Sequence, residues 1–324
     1  MNRRQTISAL AAVGAMASAA MAQQAKIHRV GYLFSGSTIA RNVEAFRDGL
    51  RESRWVDGDN IRVDYRFADG NFERLPVLAA ELLRLGLSVL VAGPTPAALA
   101  AKHATATVPI VMWGVADPVA VGLVANPARP GGNVTGLTFA FGMELYSKEL
   151  QLLKEVVATA RRVAVLSNAA NPGHAAALKA ISDASQPLSL SLSIVRVRAP
   201  GEFDAAFLAM TKERVEGVLV VPDSVFGLHA TRLATLAAKH RLPTMFGIRG
   251  NVEAGGLLSY GPNITHQHRQ AAKYVARILG GATPAELPVE QPTKFELVIN
   301  LRTARMLGLT LPQALLLRAD ELIE

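Results

Sequence analysis

AAKHATATVPIVMWG (residues 100–114) and AAKHRLPTMFG (residues 237–247) read as two copies of one design. In each, an alanine-rich helical tail ends in Lys-His, a proline follows, and an apolar run stops at a glycine. Pro109 and Pro243 are 134 positions apart. The same offset lays DPVAVGLV (117–124) over NVEAGGLL (251–258), with Gly122 on Gly256. The strand near Val30 falls over the one near Val163, 133 positions on. A repeat of this length is a whole domain rather than a solenoid unit.

Around these copies, short apolar runs alternate with amphipathic helical stretches such as 40–54 and 143–158. The periodicity predicts strands over 28–34, 60–67, 87–92, 109–113 and 134–139, and a second set over 162–167, 190–197, 216–222, 243–247 and 256–260. Strand-helix alternation builds a parallel sheet covered on both faces. The expected fold is α/β: two similar Rossmann-like lobes with parallel sheets, joined by a hinge of several crossings. Lobe 1 is expected over 27–137, with about 262–292 returning to it. Lobe 2 is expected over 138–261, with about 293–324 crossing back. Gly and Pro collect where the chain should cross, in RPGGNVTGLT and SYGPN, and the extended PTKFELVIN (292–300) suits a third crossing.

The first 22 residues stand apart. MNRRQTISALAAVGAMASAAMAQQAK has a basic start at Arg3 and Arg4 and a mildly apolar run from Ile7 to Ala20. Ala20-Met21-Ala22 is a small-x-small cleavage site, so an export signal should leave Gln23 first. The arginine pair also permits the twin-arginine route. No later stretch approaches the ~18 apolar residues of a membrane span. The expected location is the periplasm.

The 324-residue chain is 50% hydrophobic and 19% charged, which suits a globule rather than a disordered chain. It has no cysteine, which excludes disulfides, thiolate nucleophiles and cysteine-held metals. The net charge of +8 becomes +6 once Arg3 and Arg4 are removed. The basic residues are scattered among acidic neighbours, so a nucleic-acid partner is not expected. His266 and His268 are two apart, which points them to different faces of a helix, so no metal site is expected. With no G-x-x-x-x-G-K-[ST] loop, no nucleotide cofactor is expected either.

In a bilobal α/β molecule the ligand meets the loops after the strands, in the cleft between lobes. Those loops offer Ser35, Ser37, Gly93, Thr95 and Ala97 in lobe 1, with Trp113 and Asp117 after the fourth strand. Lobe 2 offers Asn171, Asp223, Phe246 and Arg249. The helix starting near Thr95 either holds a carboxylate on its free N–H groups or is merely capped by the Thr95 hydroxyl. Asp117 and Asp223 each either accept from a ligand ammonium or cap a helix. Trp113 either stacks on a flat ligand or packs in the core, and Phe139, Phe246 and Tyr260 are further wall candidates. Arg249 either pairs a second ligand carboxylate or is a solvated surface arginine. No catalytic residue is assigned: G-x-S-x-G and S-x-x-K are absent, and the cleft aspartates are the only acid–base candidates.

VPIVMWGVADPVAVGLV, RPGGNVTGLT, HRLPTMFG, EAGGLLSYGPN and above all LPVEQPTKFELVINLRTARMLGLTLPQALLLRADELIE resemble the TrpX-like ABC transporter substrate-binding family. The resemblance covers nearly the whole chain after residue 26. It implies a type I periplasmic-binding-protein fold and delivery of a small solute to an inner-membrane ABC permease. A monomer is expected. Some members bind aromatic amino acids. The expected function is capture of a small carboxylate-bearing solute, an amino acid or related organic acid. The alternatives are a sensor of the same fold, which lacks a DNA-binding head or membrane tail here, and a periplasmic α/β enzyme.

Overall fold

The computed structural model describes residues 27–140 and 144–324. The export-signal reading of residues 1–22 lies outside the described residues. The first half runs β1 (His28–Phe34), α1 (Ala40–Glu52), β2 (Ile61–Phe67), α2 (Leu75–Leu83), β3 (Val89–Gly93), α3 (Thr95–Ala104), β4 (Ile110–Val115) and β5 (Val134–Thr138). The second runs α4 (Glu144–Val156), β6 (Arg162–Asn168), α5 (His174–Ser185), β7 (Ser191–Val197), α6 (Phe203–Lys212), β8 (Gly217–Val220), α7 (Ser224–Leu228), α8 (Ala230–Lys239), β9 (Thr244–Phe246), α9 (Arg249–Glu253) and β10 (Leu258–Pro262). The chain closes with α10 (Ile264–Leu279), β11 (Phe295–Asn300), α11 (Leu301–Met306), α12 (Gln313–Leu316) and β12 (Glu321–Ile323).

The lobe-1 sheet has the order β2-β1-β3-β4-β5, and all its pairs are parallel. The lobe-2 sheet repeats that order as β7-β6-β8-β9-β10, then adds β11 antiparallel to β10 and β12 beside it. The strands VLVAG and IVMWGV are buried at every residue, as a sheet covered on both faces requires. Each lobe accordingly has two apolar cores, one per sheet face.

The duplication extends to single hydrogen bonds. The Leu90 N–H donates to the Pro109 carbonyl at 2.8 Å, and the Val218 N–H donates to the Pro243 carbonyl at 2.8 Å. Farther on, the alignment of Gly122 with Gly256 is off by one. The Gly122 N–H reaches the Val119 carbonyl and the Leu123 N–H reaches that of Pro118; the counterparts are Gly255 to Val252 and Gly256 to Asn251. Gly122 and Gly255 both have positive φ, at 74° and 111°. The extra lobe-1 residue lies in β4, whose register against β5 shifts between Met112 and Val115. Gly114 takes φ 64° there. A bulge adds one residue and re-aims its neighbours, and here the neighbour is Trp113.

Three stretches connect the lobes. The chain leaves β5 for α4, and after β10 it returns to lobe 1 through α10. Helix α10 lies tightly on α1, because a Cβ at Gly49 would stand 2.6 Å from the Arg269 carbonyl oxygen. The segment after α10 is tied to β5 by the Thr135 hydroxyl, which donates to the Leu287 carbonyl at 2.6 Å. The chain then re-enters the lobe-2 sheet as β11.

Candidate functional site

A cavity of about 720 Å³ lies between the lobes, where the C-terminal ends of both sheets face each other. Parallel strands end here and helices begin, so the cavity is ringed by helix N-termini. The first residues of α1, α3, α5 and α9 lie at it, and none of the four has a side-chain cap. The α10 terminus is also there but is capped: the His266 N–H donates to Asn263 Oδ1 at 2.7 Å. Termini without a side-chain cap present the positive end of the helix dipole. Not all of their N–H groups are free: at α3, Pro96 has none and those of Ala97 and Ala98 donate to the Pro94 carbonyl, and at α5 those of Gly173 and His174 donate to Asn171.

Thr95 is buried at the start of α3, yet its hydroxyl does not cap that helix; the cap position is Pro94. Opposite it, a Cβ on Gly173 would stand 2.9 Å from Thr95 Oγ1, so only a glycine permits this approach of the lobes.

Trp113 lines the cavity while remaining 97% buried, with 3% of its surface exposed. Its ring lies 5.3 Å from Phe34 and 4.2 Å from His268, centroid to centroid. Gly93 makes room behind it, since a Cβ there would stand 2.7 Å from the indole nitrogen. Phe34, Phe139 and Tyr146 extend this aromatic lining across both lobes.

Asp223 lines the lobe-2 side, but its carboxylate is fully engaged. Oδ1 accepts from Asn168 Nδ2 at 3.1 Å and from the Val225 N–H at 2.8 Å; Oδ2 accepts from Asn171 Nδ2 at 2.8 Å. Of the two alternatives for this residue the cap is the one seen: Asp223 caps α7, and it also pins the loop that carries Asn171. His174 completes the group. Its Nδ1 accepts from the Asn168 N–H at 2.9 Å, which places its proton on Nε2, 3.2 Å from the Pro222 carbonyl. Burial pulls this imidazole below its ordinary range, against the opposing pull of the Asp223 carboxylate.

Ser37, Thr95, Trp113, Asn171, Asp223 and Arg249 are brought together around the cavity. Ser35, Gly93, Ala97, Asp117 and Phe246 do not line it. Asp117 caps the turn after β4, accepting from the Val119 and Ala120 N–H groups at 3.1 and 2.9 Å. Phe246 is 1% exposed and packs on the lobe-2 core with Phe226 and Val220. Ala97 is fully buried on the inner face of α3. Ser35 turns its hydroxyl to Ser224 of the other lobe at 2.6 Å. Arg249 is not free for a ligand carboxylate: Glu253 and Glu321 hold it at 2.6 and 2.7 Å and raise its pKa.

Phe34, Tyr146, His174 and Asn251 also line the cavity. Tyr146 follows the helical apolar period of α4 and so reads as a core residue. The period itself carried no signal that this turn of the helix reaches the cleft.

His268, behind Trp113, gives the site a pH dependence. It is buried with its Nδ1 2.8 Å from the Tyr32 hydroxyl, and burial pushes it from the ordinary 6.5 down to about 3. His174 shifts in the same direction. The unfolded chain takes up these protons first, so stability held above pH 6.5 is lost as pH falls from 6.5 toward 3. The expected loss is about 2 kcal/mol by about pH 5. Urea midpoints measured against pH check this: His268→Gln should flatten the acid limb, and an unchanged limb would contradict it.

The family model for ABC transporter substrate binding proteins matches residues 29–323. The chain belongs to this family. Among curated relatives, the tyrosine-binding protein of Clostridioides difficile (strain R20291) is 23% identical over 280 residues, covering 86% of this chain and 80% of that protein. Among solved structures, a conserved domain protein from Vibrio cholerae superimposes with a TM-score of 0.87 at 27% identity, covering 92% of this chain and all of that one. An ABC domain from Streptococcus pneumonia in complex with L-Trp gives 0.86 at 23% identity, with 92% of this chain and 100% of that chain covered. A ligand-free, open substrate-binding protein with adhesive properties from Clostridium difficile gives 0.68 at 21% identity, with 92% and 99% covered.

Proposed function

We propose that the protein captures an aromatic α-amino acid of the tryptophan or tyrosine class in the closed cleft and delivers it to an inner-membrane ABC permease, without chemical turnover. The observation that carries this is the pairing, in one cavity, of an aromatic lining with four helix N-termini that have no side-chain cap. The aromatic side chains suit a flat ring. The free N–H groups suit a carboxylate, and they take that role because both arginines at the cavity are already paired with Glu253. The named ligands of the tryptophan complex and the tyrosine-binding relative support the same class. Family membership supports export and a permease partner. The reading includes a monomeric mature protein in the periplasm that begins at Gln23.

A thermal-shift panel tests the ligand class. L-tryptophan and L-tyrosine should raise the melting temperature, while tryptamine, which lacks the carboxylate, should not. Ligand at a hundred times its dissociation constant contributes about 2.7 kcal/mol. Equal shifts from tryptamine and tryptophan would remove the carboxylate from the account. No shift with any aromatic amino acid would reject the class.

A further inference from the structure

The loops that lead into the strands of lobe 2 lie at the end of that sheet away from the cavity. Cations scattered in the sequence gather there. Arg161 and Arg162 stand at the start of β6, Lys212 and Arg214 before β8, and Lys239 and Arg241 before β9, three strands adjacent in the sheet. All six residues are exposed. None forms an ion pair among the described residues; the pairs of lobe 2 use Lys179, Arg232, Arg249 and Arg318. The nearby carboxylates are engaged elsewhere. Glu216 Oε2 accepts from the Arg161 and Arg162 N–H groups at 2.6 and 3.0 Å, and Glu213 accepts from the Ser193 hydroxyl. Arg161, Arg162 and Arg214 border a recess of about 370 Å³ with Ser191 and Glu216.

Lobe 1 does not repeat this cluster. Val30 pairs with Val89 and Val163 with Gly217, so Arg29 matches Arg162 and Gly86 matches Arg214. Arg29 is paired with Asp64 at 3.2 Å. The stretch ATATV (104–108), after the Lys-His of lobe 1, has no cation where lobe 2 has Arg241. A cation at a helix C-terminus complements the dipole, and Lys102 and Lys239 do so in both lobes. Arg214 and Arg241 exceed that shared pattern, and their backbone is strained. Each has φ 55°, a left-handed conformation that glycine adopts freely, as Gly86 does at 73°. Before the edge strands the exchange is reversed, with left-handed Arg54 in lobe 1 and Ser189 in lobe 2, so lobe 2 holds two such arginines against one.

We propose that this end of lobe 2 is a docking surface for an anionic phospholipid bilayer and holds the protein reversibly at the membrane. Neighbouring strands are about 4.8 Å apart, so the three pairs of cations span about 10 Å of sheet edge before their side chains extend it. A single phosphate meets the cations of one loop or two, whereas a flat layer of phosphate headgroups meets all three. Guanidinium groups bind phosphate oxygens in pairs, and a negative surface attracts each added cation. The cavity lies at the opposite ends of the same strands, so docking leaves it clear of the membrane. If the permease partner of the proposed function is right, docking also raises the local concentration of the protein around it.

Co-sedimentation of the mature protein with vesicles tests this. Vesicles of equal parts phosphatidylcholine and phosphatidylglycerol should carry the protein down at low ionic strength, and less of it as salt rises. Vesicles of phosphatidylcholine alone should not. Arg214→Gly combined with Arg241→Gly suits the left-handed backbone, so it should keep or raise the melting temperature while weakening vesicle binding about tenfold or more. Arg161→Gln leaves the backbone alone and should weaken binding about fivefold. Arg84→Gln with Arg129→Gln removes the same charge from exposed positions of lobe 1 and should leave binding unchanged. Equal losses in the two double variants would show net charge acting without a surface, and would overturn the proposal. No binding to the anionic vesicles would overturn it as well. Release by inorganic phosphate beyond that by chloride at the same ionic strength would assign the recess to a free anion. Retention on polyglutamate without vesicle binding would assign the surface to an acidic protein. Either result would overturn the bilayer as partner. No solute is present, so failure here leaves the solute reading standing, and failure of aromatic amino acids to bind leaves the docking surface standing.

Discussion

Asp223→Ala should cost about 3 kcal/mol of stability and weaken solute binding about a hundredfold or more. The side chain is sealed from solvent, and its carboxylate accepts from two asparagine amides and one backbone N–H. A charged acceptor stabilises each such bond more than a neutral one does, and its removal leaves buried donors without partners. The loss of binding follows from position. Asn168 ends β6 and Asn171 lies in the loop between it and α5, and Asp223 caps α7, so one residue holds both lobe-2 loops at the cavity. Asp223→Asn keeps the shape but exchanges one acceptor oxygen for a donor, and should fall between the parent and Ala. Urea unfolding and calorimetric titration measure the two effects. An alanine variant with parental stability and affinity would show that the loops hold themselves.

Trp113→Ala should cost about 4 kcal/mol, the range for deleting a large buried aromatic, and should weaken binding of an aromatic solute by about tenfold or more. The indole is both packing and wall: it fills the space that Gly93 leaves open and is among the residues that line the cavity. Fluorescence separates the roles. Trp55 and Trp113 are the two tryptophans, and Trp55 stands edge-on to His28 at the start of β1 and does not line the cavity. A Trp55→Phe variant should keep the full solute-dependent emission change, and Trp113→Phe should abolish it. A change that persists in Trp113→Phe would place the solute away from this wall.

Much of the architecture was written in local pattern. Buried runs such as VLVAG and the repeated Pro-apolar-Gly stretches announced parallel strands and a doubled lobe, because period and turn chemistry are local. The bulge at Trp113 and Gly114 was not legible. It adds one residue to an otherwise regular run, and only the shift of Gly122 onto Gly255 betrays it. For the site, position after a strand was a good guide to which loops face the cleft, and a poor guide to what each side chain does there. Asp117 precedes a proline, which suits a cap and a ligand contact equally, and the backbone decided for the cap. Arg249 finds Glu321 72 residues away, a pairing that spacing does not reveal. The strand-end position of Ser35 points to a ligand contact, yet its hydroxyl meets Ser224 of the opposite lobe.

The central claim is that the cleft closes on an aromatic amino acid. Calorimetric titration of the refolded, solute-free protein with L-tryptophan and L-tyrosine tests it most directly. The account predicts saturable one-to-one binding of at least one of them, with a negative heat-capacity change from buried apolar surface, lost in Trp113→Ala. No heat of binding for either, or binding that Trp113→Ala leaves unchanged, would contradict it.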